Sequence, residues 1–166
     1  LGCGAGYLAN ALTLRGYAIT GVDPSSSAIA LARGAYPSLD LHQASAYDDL
    51  AGRFGQFGTV ISIEVIEHLY DPRAYARTLR GLLRPGGVAL VSTPFHGYWK
   101  NLAIALSGAT DKHVDPLWDG GHIKFWSPAT LTALMVEAGL RVTAIRRVGR
   151  IPPLAKSMIA IVERPA

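Results

Sequence analysis

The sequence predicts a doubly wound α/β fold, in which helices cover both faces of a mainly parallel sheet. Short apolar runs typical of buried parallel strands alternate with helical stretches along most of the 166 residues. The glycine-rich run Gly2-Cys3-Gly4-Ala5-Gly6 leads into the first helical stretch, and such a run leaves backbone N–H groups open to a ligand. Asp23 ends the next apolar run, 21 residues after Gly2, where these folds hold a ribose.

The first half of the chain predicts two helix and strand pairs followed by a loop. Gly16 ends the first helix, and Pro24-Ser25-Ser26-Ser27 supplies a turn and the N-cap of the second. Residues 44–58 are polar, aromatic and glycine-rich, which predicts a loop with one helical turn. The elements predicted here are a helix over 7–15, a strand over 17–22, a helix ending near residue 35 and a strand over 39–43.

The second half predicts further strands and helices in the same alternation. Val60-Ile61-Ser62-Ile63 is the centre of a continuous apolar strand. Asp71-Pro72 caps and starts the following helix, since proline is favoured at the first helical position. Arg84-Pro85-Gly86-Gly87 predicts a tight turn, and Ser127-Pro128 caps the last helix. The elements predicted here are strands over 57–64 and 88–93, helices over 73–83 and 129–137, and a closing antiparallel pair over 140–148 and 157–163.

Residues 95–126 interrupt this alternation. The first half of the segment, residues 98–106, is apolar and predicts a helix, whereas residues 110–122 form a polar loop rich in Asp, His and Gly. Long segments that follow a strand tip are often functional. We therefore expect a single domain over residues 1–166 with a lid-like insertion at 95–126.

Composition narrows the class of protein. The chain has 16 basic and 12 acidic residues, and its late arginines, Arg141 to Arg150, fit a solvated strand face better than a nucleic-acid site. Apolar runs of about five residues are too short to span a bilayer. Cys3 is the only cysteine, which favours packing over a disulfide and predicts a reducing, cytoplasmic compartment.

The chain begins with Leu1 directly on the glycine run. A fold of this kind needs a strand before that run, so we expect a fragment without the first strand of its sheet. Weak cofactor binding by this chain alone is the corresponding expectation.

The glycine spacing distinguishes between nucleotide ligands. A dinucleotide loop needs a third glycine three positions after the second, and that position is Tyr7. The spacing Gly-x-Gly-x-Gly instead resembles motif I of the class I S-adenosylmethionine (SAM) methyltransferases. The motifs that carry the resemblance are the glycine run, Val22-Asp23-Pro24-Ser25, Glu64-Val65-Ile66-Glu67-His68-Leu69, Leu83-Arg84-Pro85-Gly86-Gly87 and Ser92-Thr93-Pro94.

Two motifs indicate a subgroup. Glu64-x-x-Glu67-His68, with the later Gly120-Gly121-His122-Ile123-Lys124-Phe125, resembles the ubiquinone-biosynthesis O-methyltransferase group. The resemblance implies a Rossmann-like seven-stranded sheet of order 3-2-1-4-5-7-6, with SAM over the carboxyl ends of its first strands. Ser45 stands where that family often has an acidic residue near the adenine. The implied cofactor-binding residues are Gly2, Cys3, Gly4, Gly6, Asp23, Pro24, Ser45 and Glu64.

Methyl transfer requires an aligned acceptor and a base that removes its proton. Glu64 at the strand tip and His122 in the insertion are the predicted catalytic residues, with His113 and Asp115 as weaker candidates. Glu64, Glu67 and His68 have the i, i+3, i+4 spacing of one helical face and would form a site for Mg²⁺ or Zn²⁺. The alternative is that Glu67 and His68 only hydrogen-bond the turn.

The expected activity is methyl transfer from SAM to an oxygen of a small aromatic or quinone-like and lipid-like molecule. Trp99 is a candidate to stack on such a substrate, whereas Trp126 fits core packing better. The apolar stretch 98–106 would either contact a membrane surface or pack as a lid on its own domain. A SAM-binding pseudo-enzyme that stabilises a partner, and an NAD-dependent oxidoreductase, are the alternative functions.

Overall fold

The computed structural model describes residues 1–115 and 117–166 and shows an α/β protein with two sheets. The smaller sheet pairs strands β1 (Thr20–Asp23) and β2 (Asp40–Gln43) in parallel. The larger has the order β3-β4-β6-β5, where β3 is parallel to β4 and β6 is antiparallel to both of its neighbours. Its strands are β3 (Phe57–Ile63), β4 (Leu83–Pro94), β5 (Arg141–Val148) and β6 (Ser157–Glu163).

The helices have the capping residues that the sequence predicts. Asp71 accepts a hydrogen bond from the backbone N–H of Ala74 at 2.9 Å, and Ser127 forms a reciprocal capping box with Thr130. The helices are α1 (Tyr7–Thr13), α2 (Ser26–Ala35), α3 (Leu50–Phe54), α4 (Pro72–Leu82), α5 (Tyr98–Leu106) and α6 (Pro128–Glu137). Short 3₁₀ helices cover Ile66–His68, Thr110–Lys112 and Pro152–Leu154. None of the helices in the described part of the chain is long and apolar enough to cross a membrane.

The main core lies between the larger sheet and helices α4 and α6. Tyr75 and Leu79 of α4 and Met135 of α6 are fully buried against Val91 of β4 and Met158 of β6. Burying side chains of this size contributes roughly 1.5–3 kcal/mol each to folding. This core fixes the carboxyl ends of β3 and β4, which carry the candidate site.

Some predicted boundaries differ from the structure. Residues 17–19 precede β1, which begins at Thr20. The tight turn expected at 84–87 is the start of β4, which begins at Leu83 and shifts register against β3 between Phe57 and Thr59. Glycines at 86 and 87 allow this, because an added Cβ at Gly87 would lie 2.8 Å from the Arg84 carbonyl oxygen.

A groove separates β1 from β3, and no strand in the described part of the chain lies between them. Its volume is about 590 Å³, and it is lined mainly by apolar residues of the two facing strands and of α1. The first residues connect the sheets: the Leu1 ammonium donates to the Ile61 carbonyl at 2.8 Å, and the Gly2 and Cys3 N–H groups donate to Val22 at 2.8 and 2.9 Å. The six strands thus follow the implied order, with the central position between β1 and β3 left open.

Candidate active site

Glycine occurs at three positions of the opening loop for different structural reasons. All three have positive φ, at 75° for Gly2, 50° for Gly4 and 81° for Gly6. An added Cβ at Gly2 would overlap Cγ2 of Val65, and one at Gly6 would lie 3.2 Å from Cβ of Ala32. At Gly4 nothing lies within 4 Å of that position. Gly2 and Gly6 therefore permit close packing, and Gly4 faces open space.

Asp23 joins the glycine loop to the turn that follows β1. One carboxylate oxygen accepts the N–H of Gly4 at 2.8 Å, and the other accepts the N–H of Ser25 at 3.0 Å. A carboxylate oxygen accepts more than one hydrogen bond, so both retain capacity for a ligand hydroxyl. The residue predicted to hold a ribose thus also orders the loop that would surround the ligand.

Cys3 packs inside this loop. Its Sγ would lie 3.2 Å from a Cβ added at Gly21, and burial raises the pKa of the Cys3 thiol. A buried thiol with a raised pKa is a poor nucleophile. These contacts agree with the packing role expected for this cysteine.

The segments predicted to meet the adenine are held by local hydrogen bonds. Ser25 caps α2 by accepting the N–H of Ala28 at 3.2 Å, and Ser45 Oγ accepts the N–H of Tyr47 at 3.2 Å. The Ser45 N–H donates to the carboxylate of Asp48 at 2.8 Å. Asp48 was missed from the sequence, where it reads as one of two loop aspartates; the signal for it was the three-residue spacing that lets an Asp reach back to a turn.

Glu64 is the only non-glycine residue with positive φ in the described part of the chain, at 52°. It follows β3, and its carboxylate accepts the hydroxyl of Ser92 at 2.6 Å. Backbone strain of this kind concentrates at functional sites. The helical turn that follows begins only at Ile66, so the i, i+3, i+4 spacing expected from Glu64 does not place it on a face with Glu67 and His68.

Glu67, His68 and His122 form the cluster at the centre of the site. One ligand atom from each lies within 4.8 Å of the others. The distances to Oε1 of Glu67 are 3.9 Å from Nε2 of His68 and 4.0 Å from Nε2 of His122. The third member of the cluster is therefore His122, whereas the sequence predicted Glu64 in that role. Glu64 lies outside the cluster.

Backbone contacts hold the cluster together across the insertion. The Glu67 carbonyl accepts the N–H groups of Ile123 and Lys124 at 2.9 and 3.0 Å. Nδ1 of His68 lies 2.7 Å from the Gly120 carbonyl, so that nitrogen carries the proton and donates it. Nε2 of His68 is then the ring nitrogen with a free lone pair.

The Glu67 carboxylate is buried. Its side chain is 0% exposed, and among the described residues neither of its oxygens has a hydrogen-bond partner. Burial raises the pKa of Glu67 to about 7, and the charge of Glu64 adds to the effect. Burial also lowers the pKa of His122, and His68 lowers it further. An unpaired buried carboxylate is costly, so this position favours a proton or a cation.

A cavity of about 260 Å³ lies beside this cluster. His113 lines it and contacts the Ala109 carbonyl at 3.0 Å, while Asp115, also in the lining, accepts the N–H of Leu117 at 2.9 Å. Trp126 is 8% exposed and belongs to the core, as the packing interpretation predicts. Trp99 is 63% exposed, stacks edge-on against Tyr98 and is absent from the cavity lining.

Three curated proteins that the chain resembles carry the same name. The chain is 34% identical over 149 residues to the ubiquinone biosynthesis O-methyltransferase of Bradyrhizobium sp. (strain ORS 278), covering 86% of the chain and 57% of the relative. The protein of that name from Aromatoleum aromaticum is 31% identical, with 84% and 62% covered. The one from Pseudomonas aeruginosa is 34% identical, with 87% and 64% covered. The chain thus spans about three fifths of the length of these relatives.

Solved structures share the fold. A SAM-dependent methyltransferase from Mesorhizobium loti superposes with a TM-score of 0.75 at 17% identity, covering 98% of this chain and 88% of that one. One from Methanosarcina mazei has a TM-score of 0.75 at 18% identity, with 99% and 90% covered. A structure described as converting a disulfide bond into a thioacetal group in echinomycin biosynthesis has a TM-score of 0.73 at 26% identity, with 99% and 73% covered.

These likenesses confirm the Rossmann-like class I methyltransferase fold and the subgroup resemblance. They do not favour a nicotinamide-dependent oxidoreductase. Residues 1–145 match the family model described as a methyltransferase domain, and the chain belongs to that family.

Proposed function

We propose that this protein transfers the methyl group of SAM to an oxygen of a small molecule, most consistently an aromatic or quinone-like one. The observation that carries the proposal is the contact of the glycine loop with the tip of β3, where Gly2 packs against Val65, between Glu64 and the buried cluster. The methyl donor and the proposed acceptor site would therefore adjoin. The names of the curated relatives, all O-methyltransferases, support oxygen as the acceptor atom.

The cofactor roles follow from the positions of the loop residues. The backbone of the glycine loop would surround the methionine part of SAM, with Gly4 closest because it faces open space. Asp23 would accept from the ribose hydroxyls, and Glu64 would lie near the positively charged sulfonium. The full proposed set is Gly2, Cys3, Gly4, Gly6, Asp23, Pro24, Ser45 and Glu64.

The reaction is an in-line displacement. The acceptor oxygen attacks the methyl carbon, the carbon–sulfur bond breaks, and its electron pair stays on sulfur, which becomes a neutral thioether. The hydroxyl proton must pass to a base, and His122, whose pKa burial lowers, is neutral near pH 7 and free to accept it. The insertion that carries His122 would align the acceptor and exclude water.

Glu67, His68 and His122 also fit a divalent ion, with Zn²⁺ favoured over Mg²⁺ by the two imidazoles. The unpaired Glu67 carboxylate would gain a partner, and His68 already donates its other nitrogen to a carbonyl, as ligating histidines do. When bound, such an ion would lower the pKa of the acceptor hydroxyl. Nε2 of His122 would then be a ligand and not the base, so the two roles exclude each other.

The proposal is tested with labelled SAM and a panel of phenols, catechols, amines and carboxylic acids. We expect label on a hydroxyl oxygen, lost in His122→Ala. A SAM-binding pseudo-enzyme would instead be supported if the protein binds SAM and its measured function is unchanged in Glu64→Ala, Glu67→Ala and His122→Ala. Calorimetric titrations in which NADH binds and SAM does not would support an oxidoreductase.

The exposed side chains of helix α5 support peripheral membrane contact, while the helix also packs against the 3₁₀ helix Pro152–Leu154 of its own domain. It buries none of its residues, and Tyr98, Trp99 and Leu106 are 73%, 63% and 80% exposed. Aromatic and leucine side chains of this kind insert at a lipid interface. Co-sedimentation with liposomes tests this, and Trp99→Ser should weaken it; absence of binding by the unaltered protein would remove the membrane contact from the proposal.

A further inference from the structure

We propose that the methyl acceptor carries a carboxylate, and that Lys100 and Lys112 bind this group in the cavity beside His122. This inference rests on the proposed function, because it assigns a substrate class to the same site. It goes further in predicting which small molecules the cavity prefers: aromatic acids over their neutral analogues.

The first argument is the balance of charge in the cavity lining. Among the described residues, the lining contains two lysines, Lys100 and Lys112, three histidines and a single acid, Asp115. Asp115 already accepts a backbone N–H from Leu117 with one oxygen. The two lysines outnumber this single carboxylate, so the cavity attracts anions.

Lys100 is held in place before any ligand enters. Its Nζ donates to the Phe95 carbonyl at 2.8 Å and approaches the Lys156 carbonyl at 3.3 Å. An ammonium has three donors, which leaves one for a ligand. Since the side chain is half-buried and already anchored, little conformational entropy is lost when it binds a carboxylate.

The neighbouring charges are consistent with a positive cavity. Burial lowers the pKa of His96, another lining residue, and the charge of Lys100 lowers it further. Burial also lowers the pKa of Lys100, which the charge of Arg150 lowers further and the charge of Glu64 raises. A carboxylate in the cavity would offset this accumulated positive charge.

The remaining lining is apolar and suits an aromatic ring. The indole of Trp118 lies 5.4 Å from the His122 ring, centroid to centroid, and Pro94 and Val114 complete this side. The cavity is slightly smaller than the roughly 300–1,000 Å³ of typical small-molecule pockets, which favours a single ring. A ring against Trp118 with its carboxylate on the lysines would keep a ring hydroxyl beside His122.

The test uses benzoate and benzamide, which have the same shape and differ in charge. Neither carries a hydroxyl to methylate, so binding is measured by calorimetric or NMR titration without SAM, at pH 8 and low salt. We expect benzoate to bind at least about tenfold more tightly, as a charge-assisted hydrogen bond would give. Equal affinities, or no benzoate binding, would overturn the proposal.

Lysine variants locate the effect. Lys112→Gln alters an exposed side chain and should reduce benzoate affinity toward that of benzamide, as should Lys100→Gln, which keeps a donor for the carbonyls. Lys124→Gln is the matched control, because Lys124 belongs to the same insertion but does not line the cavity. Unchanged benzoate binding in folded Lys112→Gln would refute the assignment.

These results are separable from the proposed function. A preference for benzoate without methyl transfer to any phenol would keep the anion site and reject the methyltransferase activity. Methyl transfer to a neutral phenol at a KM equal to that of the matching hydroxybenzoate would keep the activity and reject the anion site.

Discussion

At the residue scale, ionisation of the buried Glu67 carboxyl group, a member of the candidate site, lowers the stability of the folded protein. This carboxyl group has no hydrogen-bond partner within residues 1–115 and 117–166, and burial raises its pKa to about 7 from an ordinary value of 4.5. Between these two values the folded protein keeps a proton that the unfolded chain has lost. The free energy of unfolding therefore falls as pH rises from 4.5 to 7, by up to about 3 kcal/mol, and is level above pH 7.

The first prediction is that Glu67→Gln removes this slope and is more stable than the unaltered protein at pH 8. Urea unfolding between pH 4.5 and 8, with a chelator present, measures it. Glu137→Gln is the control, because Glu137 is exposed and Arg73 lowers its pKa, so the slope should persist. An equal slope in Glu67→Gln would show that another group titrates.

The second prediction concerns metal. Added Zn²⁺ should raise the Tm of the protein, because an ion that binds only the folded state stabilises it. Glu67→Gln, His68→Ala and His122→Ala should lose most of this increase. His113→Ala is the matched control, since His113 is a nearby histidine that is not in the cluster. An increase that survives in His122→Ala would place the ion elsewhere.

At the element scale, the contact between the glycine loop and the tip of β3 brings the two halves of the site together. The third prediction is that Gly2→Ala destabilises the protein more than Gly4→Ala. Both replacements meet the cost of positive φ, about 1–2 kcal/mol, but only the former overlaps Val65.

Urea unfolding compares the two glycine variants. Adding Val65→Ala to Gly2→Ala should recover part of the loss, because it removes the overlapping methyl groups. Gly4→Ala should instead weaken SAM binding, which calorimetry measures. Independent effects of Gly2→Ala and Val65→Ala would contradict the contact.

The elements were predictable from sequence where local patterns decide them. Strand β6 and helix α5 have the predicted bounds, because apolar periodicity and flanking breakers define them. The start of β4 was not predictable, since Pro85, Gly86 and Gly87 read as a turn, whereas in the structure they lie within the register shift of β4 between its pairings at Leu83 and Val88.

The cluster of Glu67, His68 and His122 was predictable from the sequence only in part. Glu67 and His68 were predicted from their spacing, but His122 is more than fifty positions away and joins them only because the Glu67 carbonyl binds the backbone of Ile123 and Lys124. Glu64 lies outside the cluster because its positive φ, unusual for a non-glycine residue, interrupts the helical spacing. Long-range hydrogen bonds and rare backbone angles leave no periodic signal.

At the scale of the whole molecule, the two sheets differ in the buried side chains that pack against them. The pair β1 and β2 faces the groove and connects to β3 through the hydrogen bonds of Leu1, Gly2 and Cys3. The larger sheet carries most of the main core, to which Val22 of β1 also belongs, whereas Leu41 of β2 packs in a smaller separate cluster. Regions with fewer buried apolar contacts open at lower free energy.

The fourth prediction is that amides of β1 and β2 exchange with solvent faster than those of β4 and β6. Hydrogen exchange resolved by residue measures the difference, with Leu41 of β2 and Val91 of β4 as representative buried positions. Equal protection would mean that the groove does not weaken the molecule.

Methyl transfer from SAM to oxygen is tested by following a labelled methyl group at saturating SAM. We expect label on the hydroxyl oxygen of a phenol or catechol, with hydroxybenzoates preferred and with transfer abolished in His122→Ala. Bound SAM with no label on any hydroxyl of the panel, or label on an amine nitrogen alone, would contradict it.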